Sequence, residues 1–213
     1  MEEDEGGGRG NRDDEIGLSR VLALSDGVFA IALTLLVLQF AVRVKTPTVG
    51  TMLLDQGGKL LAYALSVYVI GRYWVAHHAA FLRIERWDTQ LLWLNLIFLG
   101  LIAFLPFPTA VLGEHPDEIG GSLFYAATVS AVGLVSSAVW WHASRGHRLL
   151  RPGMNRQAVR SARIRSLSSP MVFIASMPII LVSPPVAWGI WIAVPFVLRL
   201  VWPRVFERAD PRR

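Results

Sequence analysis

Arg20, Ser25 and Asp26 stand in the first turns of a run of membrane length, Val21 to Leu38, that is otherwise almost wholly apolar. An ionisable group in such a segment is rare and by default marks a functional site. Two chemistries are open to it. The acid can anchor one helix to another, or it can relay protons. At 100° per residue, Ile31, Thr34, Leu35 and Leu38 fall within about 100° of one another. Leu24 and Gly27 extend that stripe inward, Val42 extends it outward, and Asp26 points nearly opposite. The helix thus has a narrow aliphatic stripe with a single hydroxyl, and another face with a buried acid that needs partners.

Ser or Asp near a helix start often only caps it. Here Arg20 and Val21-Leu22-Ala23-Leu24 precede the pair, so the helix begins earlier and the pair reads as an interhelical anchor. Candidate partners are Arg72, Trp74, His77 and Asn95, in the halves of the second and third apolar segments expected to face the same side. An acid left unpaired in hydrocarbon costs several kcal/mol, so pairing is nearly obligatory. His77 and His78 are adjacent and point about 100° apart, which argues against a shared metal. No His-Glu-x-x-His, Gly-x-Ser-x-Gly or Gly-x-x-x-x-Gly-Lys pattern occurs, so neither a metal site nor an enzyme is expected, and no cofactor. Thr48-Val49-Gly50 copies part of a common potassium filter, but the 43–58 connection lacks room for a pore helix and its loop. Arg145, Arg148 and Arg151 have voltage-sensor spacing, yet Pro152-Gly153 ends any helix there.

The elements that must position these residues follow from hydropathy. The 213 residues are 53% hydrophobic with eight Trp, which is a membrane composition, and the absence of Cys excludes a disulfide framework. Six apolar segments lie near 18–42, 60–82, 89–112, 122–143, 168–184 and 187–203. Each approaches or reaches the roughly 20 residues a spanning helix needs. The last two are short and interrupted by Pro178, Pro195 and Pro184-Pro185, which leaves a re-entrant hairpin as the other reading. The expected fold is an all-α membrane protein with six transmembrane helices per subunit. Residues 1–17 read as a disordered acidic tail, 18–203 as the membrane domain and 204–213 as a basic tail. Residues 1–16 carry a net charge of −5 and the remainder +10. That excess lies in loops, with seven Arg and no acid between Arg145 and Arg165, so it argues for orientation rather than nucleic acid. With Arg83, Arg86 and the basic C-terminus on the same side, both termini are expected in the cytoplasm.

Arg20-x-x-x-Leu24-Ser25-Asp26 followed by Phe29-Ala30-Ile31-Ala32-Leu33-Thr34-Leu35-Leu36-Val37-Leu38 resembles the signature of the transmembrane protein 175 family, endosomal and lysosomal potassium channels, in its bacterial form. Leu24 replaces the family's Phe. The resemblance continues in Trp74-Val-Ala-His77, Asp88, Leu94-Asn95-Leu96 and Phe104-Leu-Pro-Phe-Pro108, and covers residues 18–110. The second half matches in hydropathy alone. The resemblance implies a homo-oligomer, a tetramer, with the first helices around a central pore. Ile31, Leu35 and Leu38 would form the constriction and Thr34 a hydroxyl layer. Trp74, His77 and Asn95 would partner Ser25 and Asp26, with Arg20 at the start of the motif. The expected function is a potassium-selective leak channel, multi-pass in the bacterial inner membrane, with potassium ions, lipids and its own copies as partners. The rivals are a proton-coupled or other small-ion transporter, with Asp26 and His77 as relay, and a non-conducting structural membrane subunit.

Overall fold

The computed structural model describes residues 4–40, 50–51 and 56–201, and the side chains of these except at 4–15 and 194–201. It is built of helices: α1 (Asp4–Leu35), α2 (Gly57–Phe81), α3 (Thr89–Phe104), α4 (Pro106–Glu114), α5 (Ile119–Ser144), α6 (Arg156–Ser166), α7 (Ser168–Ile180) and α8 (Pro184–Val201). A 3-10 turn, Leu36–Gln39, closes α1. The bridge between Ile84 and Leu150 is an isolated pair of residues outside any strand.

Among the described residues, three helical stretches are long and apolar enough to cross a membrane: Ile16–Gln39, Thr89–Glu114 and Ile119–His147. The second contains a break at Leu105-Pro106, because Pro106 has no N–H to donate to the preceding turn. α2 has the length, 25 residues or about 37 Å, but Lys59 and Arg72 dilute its hydropathy. α7 has 13 residues, short of the roughly 20 a span needs. At the N-terminus the helical backbone of α1 starts at Asp4, inside the stretch expected to be a disordered tail. Once a helix exists, each further residue adds a hydrogen bond without a new nucleation cost. The 204–213 tail and Val42 lie outside the described residues.

α5 is the centre of the bundle. Its span is 56% buried against 22% for that of α1, so α1 is peripheral with most of its circumference uncovered. α5 packs on α2, α3, α4, α6 and α7, while α1 rests mainly on α2 and α3. The core is aliphatic and aromatic, with Ile70, Phe98, Ile102, Tyr125, Val129 and Trp191 at its middle. Hydroxyl contacts join the helices there. The Ser66 hydroxyl lies 2.8 Å from Thr109 Oγ1 and 3.0 Å from the Tyr125 hydroxyl, linking α2, α4 and α5. Trp191 Nε1 donates to Ser176 Oγ at 2.8 Å across the α7–α8 hairpin. Where water is excluded, such bonds and small residues hold helices together.

One close approach depends on glycine. A Cβ on Gly133 would stand 2.7 Å from the Tyr73 hydroxyl and 2.8 Å from Pro170 Cδ, where α2, α5 and α7 converge. At the end of the bundle near Arg83, the loops after α2 and α5 are tied together. Arg151 N donates to Arg83 O at 3.0 Å and Glu85 N to Leu149 O at 2.9 Å. The two Arg-bearing loops therefore share one side, as the charge pattern requires. There Asp88 caps α3, accepting from Leu91 N at 2.8 Å. His142 Nε2 sits 2.9 Å from both of its oxygens. Burial pushes the Asp88 carboxyl up, but the bonds from Leu91 and His142 outweigh it and hold the group below its ordinary value.

Gly133→Val should force Tyr73 or Pro170 from its place and cost about 1–3 kcal/mol, read as a lower melting temperature and less monodisperse protein in detergent. Wild-type behaviour would mean the three helices can part there freely. Asp88 supplies a pH test. Its depressed native pKa makes its contribution full above the ordinary value of 3.8 and lost as pH falls through the native value. Asp88→Asn should therefore melt at a temperature that varies less with pH than wild type below about pH 4. Parallel curves would show that Asp88 is not linked to folding.

Candidate functional site: the first helix and its polar anchor

α1 presents two faces, and burial separates them cleanly. Ser25, Phe29, Ala32 and Leu36 recur at helical spacing and are buried against α2 and α3. Leu24, Gly27, Ile31, Thr34, Leu35 and Leu38 are exposed, with Ile31 59% and Leu38 73% open. These are the residues of the sequence-defined stripe. Its outer end differs from a plain helix, because Leu38 stands on the 3-10 turn and the backbone becomes extended at Phe40. The Thr34 hydroxyl donates to Ile31 O at 2.8 Å, a bond within its own helix.

The buried face is fixed by one amide. Asn95 of α3 donates through Nδ2 to Ser25 Oγ at 3.3 Å, and Ser25 donates onward to Val21 O at 2.8 Å. His77 Nε2 lies 2.8 Å from Asn95 Oδ1, and since that oxygen can only accept, Nε2 carries the proton. Aromatic rings enclose the imidazole. It stacks on Phe98 at 5.5 Å with planes 5° apart, and on Phe81 at 4.3 Å. Phe29 of α1 meets both His77 and Phe98 at 5.9 Å. Phe81, Phe98 and Phe29 were not expected here. Their signal is spacing: Phe98 lies three residues after Asn95 and Phe81 four after His77, so each shares a face with its polar neighbour.

Three expectations need correction. Asp26 is exposed on the flank of the subunit rather than buried. It accepts from Trp74 Nε1 at 2.8 Å, and Trp74 is itself 41% exposed. The reason is rotation: Ser25 occupies the buried line, and the next residue is turned about 100° from it. Arg72 does not join Asp26. It stands two residues before Trp74, hence about 200° around α2, and lines a cavity with α5, α6 and α7. Arg20 is exposed and makes no hydrogen bond or ion pair among the described residues. It precedes Ile31 by 11 residues, close to three whole turns of α-helix, so it belongs to the stripe side. The structure thus brings together Ser25, Asn95 and His77 as a buried chain, and Asp26 and Trp74 as a surface pair. His78 stacks on Trp74 at 5.8 Å, away from the His77 enclosure.

This arrangement holds no group poised for covalent chemistry. It can dock α1 at one rotation and leave an aliphatic face open. Known proteins resemble the chain over the interval that holds these residues. A family model described as the endosomal/lysosomal potassium channel TMEM175 matches residues 20–106, the interval holding every residue of the anchor. A protein of Streptomyces collinus named as a potassium channel is 38% identical over 172 residues, covering 78% of this chain and 84% of that protein. The crystal structure of a lysosomal potassium-selective channel TMEM175 homolog from Chamaesiphon minutus aligns with a TM-score of 0.75 at 30% identity. It covers 86% of this chain and 97% of that one. A zebrafish (Danio rerio) relative named as the endosomal/lysosomal proton channel TMEM175 is 29% identical over 56% of this chain and 24% of its own length. With a relative 38% identical matched over 84% of its length, and a shared fold, this chain belongs to the TMEM175 family.

Proposed function

We propose that the chain is one subunit of a potassium-selective, leak-type channel in the bacterial inner membrane. Four copies place their α1 helices around a common axis, each subunit spans the bilayer six times, and both termini are cytoplasmic. One observation carries this reading. The face of α1 left uncovered by its own subunit is the stripe of Ile31, Thr34, Leu35 and Leu38, while the opposite face is locked by Ser25 and Asn95. A single stripe cannot enclose a path, but a ring of them can.

The mechanism follows from the side chains. Rings of Ile31, Leu35 and Leu38 make a constriction too apolar to hold water readily, so an ion must shed hydration to pass. Potassium sheds its water at less cost than sodium, and that difference is the selectivity. Thr34 donates its proton to Ile31 O, which leaves its oxygen lone pairs to face a cation. Asp26 serves assembly, because it pairs with Trp74 on the subunit's flank and not on the stripe.

The governing experiment is the reversal potential of purified full-length protein in liposomes under opposed potassium and sodium gradients. A reversal near the potassium potential is expected. A potential that follows an imposed pH gradient instead would move the assignment to proton transport, the activity named for the zebrafish relative. No current at all would leave a structural membrane subunit. Within that assay, Ile31→Asn should hydrate the constriction and shift reversal toward sodium, and agreement with wild type would remove Ile31 from selectivity. Thr34→Ser should keep the preference and Thr34→Val weaken it with the oligomer intact. Full selectivity in Thr34→Val would leave discrimination to the aliphatic rings. Asp26→Ala strands the Trp74 indole N–H and should reduce detergent-stable oligomer more than it alters ion preference. Normal oligomer with changed preference would put Asp26 in the ion path.

A further inference from the structure

The loops after α2 and after α5 meet at one end of the bundle, and a cavity of about 280 Å³ lies in their seam. The backbone fixes the seam. Glu85 N and Arg86 N donate to Leu149 O at 2.9 and 3.3 Å, and Arg151 N donates to Arg83 O at 3.0 Å. Ile84 and Leu150, bridged across it, are buried. Arg86 lines the cavity from one loop, and Arg148 and Arg151 line it from the other. His147 also lines it, with a left-handed φ of 58° that follows Gly146 at 65°. Such a backbone is uncommon for a residue with a Cβ, and backbones of this kind cluster at ligand sites.

The charges at this cavity do not balance. Glu85 is the one carboxylate in the lining, against three guanidinium groups, so an excess of two positive charges remains. Among the described residues, the side chains of Glu85, Arg86 and Arg151 make no hydrogen bond or ion pair. Arg148 also acts on the Asp88 carboxylate, but His142 already holds both oxygens of that group. The second loop brings no acid of its own, since none occurs between Glu118 and Glu207. The preference of arginine for cytoplasmic loops explains the sign of this charge. It does not explain why residues 86, 148 and 151 open onto one cavity. Like charges gathered in this way repel one another unless an anion lies between them. The guanidinium fork suits phosphate, through paired N–H···O bonds. A terminal phosphate carries about −1.5 to −2 near pH 7, which matches the excess. A phosphodiester, singly ionised, does not.

We propose that this cavity binds a terminal phosphate group, held by Arg86, Arg148 and Arg151 and supplied by a soluble phosphate or by the headgroup of phosphatidic acid. The site is built from loops and is separate from the α1 stripe, so it stands or falls independently of conduction.

Thermal unfolding of the full-length protein in detergent tests it, with inorganic phosphate as the probe and sodium chloride at matched ionic strength as the reference. Phosphate should raise the melting temperature of wild type above the chloride value, because a ligand of the folded state stabilises it. Arg86→Gln and Arg151→Gln should each weaken phosphate by about tenfold, the loss expected of one charge-assisted contact. Both arginines are exposed, so these variants should melt like wild type in chloride. Glu85→Gln should act in the opposite direction and tighten phosphate. Arg160→Gln, on α6 and outside the cavity, should leave it unchanged. Native mass spectrometry with phosphatidic acid and phosphatidylcholine distinguishes the sources. Stabilisation by phosphate that Arg86→Gln weakens would support the site with a soluble source. Preferential retention of phosphatidic acid that Arg86→Gln abolishes, without any effect of phosphate, would support the lipid source. Neither stabilisation by phosphate nor preference for phosphatidic acid would overturn the proposal. So would an Arg160→Gln loss equal to that of Arg86→Gln, which is the behaviour of diffuse surface charge.

Discussion

A polar side chain in hydrocarbon finds its partner inside the protein or costs several kcal/mol, and the placement of α1 depends on how one residue meets that demand. Ser25 is wholly buried, and its oxygen donates to Val21 O and accepts from Asn95. Asn95 in turn has its carbonyl taken by His77. Turning α1 by one residue, about 100°, would withdraw Ser25, leave the Asn95 amide without its acceptor and drive the Asp26 carboxylate toward the rings of Phe81 and Phe98. The neighbouring pair of one hydroxyl and one acid therefore defines the rotation of the helix. Everything exposed on its far side, Ile31 and Leu38 included, follows from that rotation.

Little of α1 is covered by its own subunit. Its span is the least buried of the three apolar spans, at 22%, whereas α5 is enclosed by five neighbouring helices. The centre of the bundle has bulk packing plus the Ser66–Thr109–Tyr125 contacts. α1 has a narrow line of buried residues and the Asn95 bond. Such a helix, with Ile31, Leu35 and Leu38 uncovered, presents an apolar surface that lipid or further copies of the chain must cover. The subunit is thus well enclosed at α5 and largely uncovered at its first helix.

Helical periodicity made the stripe legible, because the exposed residues of α1 repeat at the spacing that the sequence displays. It also made Ser25 and Asp26 conspicuous, but it did not say which of them faced inward. The phase of α2 contained part of the answer. Trp74 and His77, three residues apart, can share a side, and Arg72 cannot share the side of Trp74. The Phe residues around His77 were hidden by abundance, since a chain with ten Phe marks none of them. The 3-10 turn at Leu36–Gln39 has no sequence signal at all, because its residues are ordinary helix formers without Gly or Pro. That the two Arg-bearing loops share one side was legible from charge; the backbone bonds that tie them together were not. The convergence of Arg72 with Arg165 was not, because it joins residues 93 positions apart through a packing of four helices.

That 3-10 turn alters the stripe in a definite way. In an α-helix Leu35 and Leu38 would be offset by about 60° around the axis. In a 3-10 turn residues three apart eclipse, and the rise grows to about 2 Å per residue. Leu38 is thereby carried onto the same line as Leu35 and further along it, about 6 Å rather than about 4.5 Å away. Gln39 secures the tightened turn by donating through Nε2 to Leu36 O at 2.8 Å. The outer end of the stripe becomes two aliphatic side chains in file, with the Thr34 oxygen beside their inner edge. In a ring of such helices, that file would present successive apolar layers to an ion without widening the path. The tightening of the last turn would then set the length over which hydration is withheld, while Ser25 and Asn95 set the direction in which the layers face.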